Sequence, residues 1–151
     1  MSYIIRDANH SDTLELVIAC KQFSKEIGHT FAKMDPTKVT SLIQQLIDGE
    51  LGFAKVVEYE GEIVGCMGAY ASELMISNLF VSQEILLWFD PDHRNGKMAF
   101  KLIDEYVEWS RSVGCVFARL SAQNLLEDGR AGVLYKRKGF QALETAYLKE
   151  L

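Results

Sequence analysis

The chain is predicted to adopt an α/β (α+β) fold, in which a mixed central sheet of about six or seven strands is flanked by about four helices. Two apolar segments, residues 53–59 and 63–70, are separated by Glu60-Gly61 and favour an antiparallel hairpin. A nearly continuous apolar run over residues 84–89 is typical of a central strand covered on both faces. Helical spacing follows that run, so a crossover connection is expected and the sheet is predicted to be mixed.

Two helices are predicted between the first strand and the hairpin. A short strand over residues 3–6 leads to Asp12, which is expected to cap the first helix because a glutamate follows three residues later. This helix is expected to end at Gly28. The second helix is expected to begin at Asp35-Pro36, since aspartate suits the cap and proline suits the first helical position.

The second half of the chain alternates between helices and strands. Helical spacing extends from Met98 to Gly114, a strand is predicted over residues 115–120, and a further helix over 125–138. The apolar segment 140–148 is predicted to form the last strand. The element order is therefore β-α-α-β-β-β-α-β-α-β. Because no repeat, linker or shift in composition interrupts it, the whole chain is expected to form one domain.

Composition and charge argue against several classes of function. The net charge is −5, so no basic surface is expected to hold a nucleic-acid backbone. No apolar run reaches the ~20 residues of a membrane span, and the N-terminus lacks a signal-peptide layout. Cys20, Cys66 and Cys115 lie far apart in apolar stretches, which indicates buried thiols in a reducing cytoplasm rather than a metal or disulfide framework. We therefore expect a cytoplasmic protein without a metal, a membrane or a nucleic acid as partner.

A polar turn follows the apolar run and leads into the third helix. It contains two cationic side chains, Arg94 and Lys97, on either side of Gly96. Such a turn brings backbone N–H groups, a helix N-terminus and positive charge to one place, which suits a pyrophosphate. The turn is not a Walker loop, because Met98 stands where Ser or Thr is required, and no G-x-G-x-x-G motif is present.

Two local patterns resemble the GNAT acetyltransferase superfamily. The family's phosphate motif, [Q/R]-x-x-G-x-[G/A], is similar to Arg94-Asn95-Gly96-Lys97-Met98-Ala99, except that Lys97 replaces the usual glycine. The family's L-Y-x-x-x-G-F pattern is matched in full by Leu134-Tyr135-Lys136-Arg137-Lys138-Gly139-Phe140. The two patterns occur in the expected order, separated by a helix, a strand and a helix. A chain this compact with a lysine at the glycine position of the phosphate motif also resembles the GNAT proteins of tailed phages.

The resemblance implies that acetyl-CoA is the cosubstrate and assigns it a set of contacts. The backbone over Arg94, Asn95, Gly96, Lys97, Met98 and Ala99 is expected to bind the pyrophosphate. The edge of the central strand at Leu87, Trp88 and Phe89 is expected to bind the pantetheine and polarise the thioester carbonyl. Asn124 or Asp128 is expected to touch the coenzyme as well. The family often has asparagine seven positions before the tyrosine, where this chain has Asp128. A carboxylate is a poorer neighbour for phosphates, so Asn124 is the candidate that substitutes for it.

The resemblance also implies two catalytic residues. Tyr135 occupies the position of the family's general acid, which protonates the departing thiolate. Glu84, at the start of the central strand, is a candidate for the base that takes a proton from the amine. Simpler interpretations remain open: Tyr135 as a core tyrosine, Glu84 as a solvated carboxylate, and Arg94 and Lys97 as solvated cations at a turn.

Two functions follow as alternatives. The first is an N-acetyltransferase that moves acetyl from acetyl-CoA to a primary amine on a small molecule, peptide or protein, with a longer acyl donor as a variant. The second is a non-catalytic GNAT-like module that binds coenzyme A or a protein partner. The acceptor determinants are expected within residues 26–35 and 72–82, and the apolar last strand would permit a homodimer.

Overall fold

The computed structural model describes residues 2–28, 33–123 and 130–151, and in these ranges it contains five strands and four α-helices. In chain order the elements are β1 (Tyr3–Asp7), α1 (Thr13–Glu26), α2 (Pro36–Asp48), β2 (Gly52–Tyr59), β3 (Glu62–Glu73), β4 (Phe80–Phe89), α3 (Lys97–Ser112), β5 (Cys115–Arg119) and α4 (Arg130–Arg137). The five strands form one mixed sheet in the order β1-β2-β3-β4-β5, and only the β4·β5 pair is parallel. The mixed α/β fold predicted from the sequence is confirmed.

The β2–β3 hairpin forms around the predicted turn. Glu60 and Gly61 both have positive φ, 53° and 82°, which is the conformation of a two-residue type I′ turn. The backbone twist of this turn matches the twist of the flanking strands, so the turn joins β2 and β3 as neighbours within the sheet.

The sheet has a core on each face. The α1 and α2 helices cover one face, where the buried side chains include Leu16, Ala19, Ile43, Val56, Cys66, Leu86 and Trp88. The α3 helix covers the other face, where the buried side chains include Phe53, Val57, Met67, Ala69, Phe89, Leu102 and Tyr106. Covering both faces explains why β4 reads as a nearly continuous apolar run.

Strand β4 changes its pairing half-way along. Gly68 of β3 pairs with Leu86 and Ala69 pairs with Glu84, so Ile85 is an extra residue in a β-bulge. On its other edge β4 pairs with β5 only over residues 80–83. From Glu84 onward, the described strands pair with β4 on the β3 side alone, and this leaves an open edge beside α3 and α4.

The predicted last strand is wrong. Residues 140–151 are described and have no regular secondary structure, so the described part of the chain contributes five strands to the sheet rather than six or seven. Leu143 and Tyr147 are 77% and 92% exposed. An apolar segment becomes a strand only where a neighbouring edge accepts its hydrogen bonds, and local sequence does not report that. The ion pair between Arg119 and Glu144 joins this segment to β5.

Asp12 is the N-cap residue of α1, as predicted, but it does not cap the helix through its side chain. The Asp12 carboxylate makes no capping bond to α1; instead it accepts two hydrogen bonds from the Arg6 guanidinium, at 2.7 and 2.9 Å, and one from the Asn9 N–H. The arginine holds the pKa of Asp12 below its usual range. The cap predicted at Asp35 is confirmed, since its side chain accepts from the Thr37 N–H at 2.9 Å.

The predicted helix over residues 125–138 is described only from Arg130, and its first residues lie outside the described ranges. Among the helices that are described, none is long and apolar enough to cross a membrane.

Candidate active site

The open edge of β4 presents backbone polar groups. The Asp90 N–H donates to the Val64 carbonyl at 2.8 Å, which fixes the phase of the β3·β4 ladder. In an antiparallel pair the residues alternate between facing the partner and facing away. The peptide groups of Leu87 and Phe89 therefore point towards the open edge, whereas those of Trp88 point towards β3.

A cavity of about 820 Å³ lies along this open edge. It is bounded by the C-terminal end of α1, the second half of β4, the turn into α3, the segment after β5, and α4. The lining includes Phe23, Glu26, Glu84, Ile85, Leu87, Trp88, Phe89, Arg94, Asn95, Gly96, Lys97, Ala99, Ser121, Arg130, Leu134, Tyr135 and Arg137. The strand edge, the polar turn and both predicted catalytic residues thus meet in one space.

The turn into α3 is built around Gly96. This residue has φ +82°, and a Cβ there would meet nothing within 4 Å, so glycine is favoured by the backbone conformation and not by lack of space. The first helical bond runs from the Phe100 N–H to the Gly96 carbonyl at 3.0 Å. The N–H groups of Met98 and Ala99 therefore have no carbonyl partner within the helix, which is the usual state of a helix N-terminus.

Lys97 is the first residue of α3, where a side chain is readily accommodated. Its N–H donates to the Asn95 side chain at 3.1 Å, so Asn95 satisfies one of the N–H groups at the start of the helix, while Gly96 is the N-cap residue. The Lys97 side chain is exposed at the rim of the cavity. The departure from the glycine of the motif therefore leaves the helix N-terminus in place.

Arg94 is held by the protein itself. Its guanidinium donates to both oxygens of Glu26 at 2.8 and 2.7 Å, and its Nε–H donates to the Phe89 carbonyl at 2.7 Å. The Trp88 indole N–H reaches the same Glu26 carboxylate at 3.3 Å. This cluster ties the end of α1 to the end of β4 and to the turn.

Glu84 and Tyr135 are joined through one backbone residue. The Ser121 N–H donates to the Glu84 carboxylate, and the Tyr135 hydroxyl donates to the Ser121 carbonyl at 2.9 Å. Burial raises the pKa of Glu84 to about 7, against the smaller opposing effect of the Ser121 hydrogen bond. Burial, and secondarily the charge of Glu84, raises the pKa of Tyr135. At neutral pH the Glu84 carboxyl group therefore gains and loses a proton readily, while the nearby Tyr135 phenol stays protonated.

The cavity is cationic although the chain is acidic. Besides Arg94, its lining contains Lys97, Arg130 and Arg137, against the carboxylates of Glu26 and Glu84. The chain as a whole carries a charge of −5. Such a local excess of positive charge favours an anionic ligand. Among the described residues there is no group of three His, Cys, Asp or Glu that could hold a metal ion.

The sequence profile of the acetyltransferase (GNAT) family matches residues 17–140, which is most of the chain. The chain belongs to this family. No curated protein matches it in sequence.

Solved structures share the GNAT fold over almost the whole chain. A predicted acetyltransferase with acetyl-CoA from Clostridium acetobutylicum superposes with a TM-score of 0.78 at 19% identity, covering 99% of this chain and 96% of that one. A ribosomal-protein-alanine N-acetyltransferase from Brucella melitensis biovar Abortus 2308 gives 0.75 at 19%, covering 99% of both chains. A glucosamine-6-phosphate N-acetyltransferase from Arabidopsis thaliana gives 0.76 at 14%, again covering 99% of both.

The structure brings together nearly all the residues that the sequence had nominated in this GNAT chain. Glu84, Leu87, Phe89, Tyr135 and the turn line one cavity. Trp88 also lines it, but its peptide groups point towards β3, so the expected backbone contact of Trp88 with the pantetheine is not available. Met98 differs, because its side chain is 4% exposed in the α3 core and only its N–H can reach a ligand. Asn124 and Asp128 lie outside the described residues.

Four lining residues had no sequence signal that identified them. Glu26 is separated from Arg94 by 68 positions, and nothing near either residue indicates the pairing. Ser121 acts through its backbone, which no side-chain motif reports. Arg130 and Arg137 lie on α4, and Arg137 falls on an unspecified position of the L-Y-x-x-x-G-F pattern.

Proposed function

We propose that this GNAT protein transfers an acetyl group from acetyl-CoA to a primary amine by direct attack. The observation that carries the proposal is the meeting, in one cavity, of an open strand edge, a helix N-terminus and the Glu84–Ser121–Tyr135 arrangement. Each of these features supplies one requirement of acyl transfer from a phosphate-bearing thioester.

The coenzyme is bound at two places along the cavity. Its pyrophosphate lies at the N-terminus of α3, where the N–H groups of Met98 and Ala99 and the charge of Lys97 favour an anion. Its pantetheine follows the β4 edge in place of a neighbouring strand and is bound there by the Leu87 peptide groups and the Phe89 N–H, since the Phe89 carbonyl already accepts from Arg94. A volume of about 820 Å³ suits a small-molecule ligand, for which cavities of roughly 300–1,000 Å³ are usual.

The chemical step follows from the positions of Glu84 and Tyr135. Glu84 takes a proton from the ammonium, and the neutral nitrogen then attacks the thioester carbonyl carbon. The edge N–H groups stabilise the oxygen anion of the tetrahedral intermediate. The carbon–sulfur bond breaks, the amide remains, and the thiolate takes its proton from the Tyr135 hydroxyl. The nitrogen loses a second proton when the intermediate collapses, and this proton restores the Tyr135 phenol, while the proton first taken by Glu84 is released to solvent. The ammonium thus loses two protons, of which one ends on sulfur and the other in solvent.

Arg94 has a positioning role in this proposal. Because Glu26 and the Phe89 carbonyl occupy its guanidinium, it fixes the turn on which the pyrophosphate is bound. The exposed cations, Lys97 and those of α4, attract the phosphates. This differs from the sequence-based expectation that the Arg94 side chain belongs to the phosphate contacts.

A non-catalytic module is the second candidate function. Two observations favour it: Asn95 already accepts the hydrogen bond of the Lys97 N–H, and Glu26 already pairs with Arg94. A ligand must compete with the first contact to use every N–H of the turn. The retained pair of Glu84 and Tyr135 supports catalysis instead.

Calorimetric titration of acetyl-CoA, with Gly96→Ala and Gly61→Ala as matched variants, tests the coenzyme site. Both glycines have φ +82°, and an added Cβ meets nothing at either position, so the two substitutions impose similar backbone strain. Only Gly96 adjoins the cavity. We expect micromolar binding that Gly96→Ala weakens about tenfold, a difference of about 1.4 kcal/mol, and that Gly61→Ala leaves unchanged.

Two results would count against the proposal. If millimolar acetyl-CoA gives no heat of binding, both the proposed coenzyme site and the proposed acetyltransferase activity are wrong. Binding without release of free thiol across a broad panel of amines would leave the non-catalytic module as the function.

A further inference from the structure

A further, smaller cavity lies on the α2 face of the sheet. It has a volume of about 530 Å³ and is bounded by the C-terminal half of α2, the start of β2, the C-terminal part of β3 and the middle of β4. Its lining is Leu42, Gln45, Leu46, Gly49, Leu51, Gly52, Tyr70, Ala71 and Ile85. We call it the α2 groove. Its wall is fixed by the hydrogen bond from the Ala71 N–H to the Leu51 carbonyl at 2.9 Å.

The α2 groove is apolar and exposed. Its large side chains Leu42, Leu51, Tyr70 and Ile85 are between 36% and 43% exposed, so each keeps a surface for a ligand. None of the lining residues is charged, and Gln45 and the Tyr70 hydroxyl are the polar side-chain groups in it. A concave surface lined by apolar side chains with few polar groups is typical of a small-molecule site.

The α2 groove and the coenzyme cavity meet at the β4 bulge. Ile85, the extra residue of the bulge, lines both of them. The residue before it, Glu84, lines the coenzyme cavity and carries the carboxylate that we have assigned as the base. A ligand in the α2 groove therefore approaches the reaction centre from the side of the sheet opposite α3.

We propose that the α2 groove binds the apolar body of the amine acceptor, whose nitrogen passes Ile85 to reach the thioester. This inference rests on the proposed function and names its substrate class: a primary monoamine attached to a hydrocarbon or aromatic group of modest size. Continuity with the coenzyme cavity identifies the occupant as a reactant. The acceptor determinants accordingly include Leu42, Tyr70 and Ile85, which lie outside the two segments expected from the sequence.

The lack of charge in the groove decides between classes of amine. A polyamine or an aminoglycoside carries further ammonium groups, which would lose water on entering the groove and find no carboxylate there. An arylalkylamine carries one ammonium group, which Glu84 accepts, and an apolar remainder that gains from burial. The groove therefore favours the monoamine.

Thiol release from acetyl-CoA, with 2-phenylethylamine and spermidine as acceptors, tests the proposal. The variant is Tyr70→Ser, and Tyr147→Ser is its matched control because Tyr147 is 92% exposed in the irregular C-terminal segment. We expect a lower KM for 2-phenylethylamine than for spermidine in the wild type. Tyr70→Ser should raise the KM for 2-phenylethylamine about tenfold, as loss of an apolar contact does, with kcat changed less than twofold. Tyr147→Ser should change neither constant.

Binding measured without turnover separates the two proposals. Acetyl-CoA affinity, measured by calorimetry, should be the same in the wild type and in Tyr70→Ser, while 2-phenylethylamine should bind the coenzyme A complex of the wild type more tightly than that of the variant. Efficient acetylation of spermidine with little acetylation of 2-phenylethylamine would overturn the proposal that the α2 groove binds the acceptor. The proposed acetyltransferase activity would still stand. Equal KM values in the two tyrosine variants would overturn the groove proposal as well. Loss of acetyl-CoA binding in the wild type would overturn both.

Discussion

The two halves of β4 differ in what binds their backbone. Residues 80–83 pair with β3 on one edge and β5 on the other, whereas from Glu84 onward the strand pairs with β3 alone. In the first half the Ser82 hydroxyl is buried against Ser110 at 2.6 Å, in a polar contact within the core. In the second half the side chains and peptide groups line the cavity. A single strand thus supplies both an anchored support and an open binding edge.

This contrast shows where a fold can place chemistry without losing its core. Peptide groups that are left without a strand partner are costly when buried and must be satisfied by water or a ligand. The first half is fixed by pairing on both edges. The second half continues the same strand and is therefore held in position although only one of its edges is paired. Substitutions in the second half are therefore expected to alter activity, and those in the first half stability alone.

The largest effect is expected at Glu84, where β4 changes from closed to open. Glu84→Gln keeps the shape and the hydrogen bond from Ser121 but removes the base, so kcat should fall by roughly 10²–10³ at pH 8. In the wild type kcat/KM should rise with pH through about 7, as the carboxylate ionises, and the variant should lose this dependence. Steady-state rates between pH 5.5 and 9 measure both. An unchanged profile in the variant would assign the base elsewhere.

The same carboxylate is expected to lower stability at high pH. Its pKa in the folded protein is about 7 against an ordinary value of 4.5, so the folded state binds the proton more tightly than the unfolded state. The free energy of unfolding should therefore fall as pH rises from 4.5 to 7, by up to about 3 kcal/mol for this group, and stay level above. Urea unfolding at pH 5 and pH 8 should show a smaller fall in Glu84→Gln. A parallel fall in both proteins would mean that the carboxyl is not buried as described.

A smaller effect is expected at Glu26, which holds the far end of the open half through Arg94. Glu26→Gln removes the ion pair and loosens the turn, so the Kd for acetyl-CoA should rise about fivefold, or about 1 kcal/mol. Glu58→Gln is the control, since it removes a carboxylate that contacts Arg6 at 3.2 Å on the β1–β2 side, away from the cavity. Calorimetry distinguishes them. Tighter binding in Glu26→Gln would show that Arg94 turns to the phosphates once it is released.

The smallest effect is expected in the closed half. Ser110→Ala removes the hydrogen bonds of the Ser110 hydroxyl to Ser82 and to the Tyr106 carbonyl, so the free energy of unfolding should fall by about 1–2 kcal/mol. The exposed Ser112 on the same helix gives the matched control Ser112→Ala, with a change below about 0.5 kcal/mol. Thiol-release rates should stay within twofold of the wild type in both. A large loss of activity in Ser110→Ala would mean that the two halves are coupled.

The features that could be predicted from the sequence are those specified by residues within a single turn or strand. Glu60-Gly61 specifies its hairpin by backbone conformation, and Gly96 specifies the start of α3 in the same way. The polar turn and Tyr135 were recognised from short patterns, and the structure brings them into one cavity.

What could not be predicted depends on partners distant in the chain. The bulge at Ile85 results from the register against β3, and the pairing of Glu26 with Arg94 spans 68 positions. The segment 140–148 has the composition of a strand, but its state is decided by the edge available to it. Asp12 stands at the cap position that its spacing predicts, but its carboxylate accepts hydrogen bonds from the Arg6 guanidinium and none from the helix N–H groups.

The single extra residue at the bulge also changes which residues of β4 face each side of the sheet. Glu84 pairs with Ala69 of the α3-side core, whereas Leu86 and Trp88, which are even-numbered as well, belong to the α1/α2-side core. Glu84 and Leu87 consequently share a face although three positions separate them, which strict alternation forbids. A chain lacking Ile85 would keep every nominated catalytic residue in its sequence and turn the carboxylate and the binding edge to opposite sides. Chain length between Glu84 and Leu87 is therefore as much a determinant of the chemistry as the residues themselves.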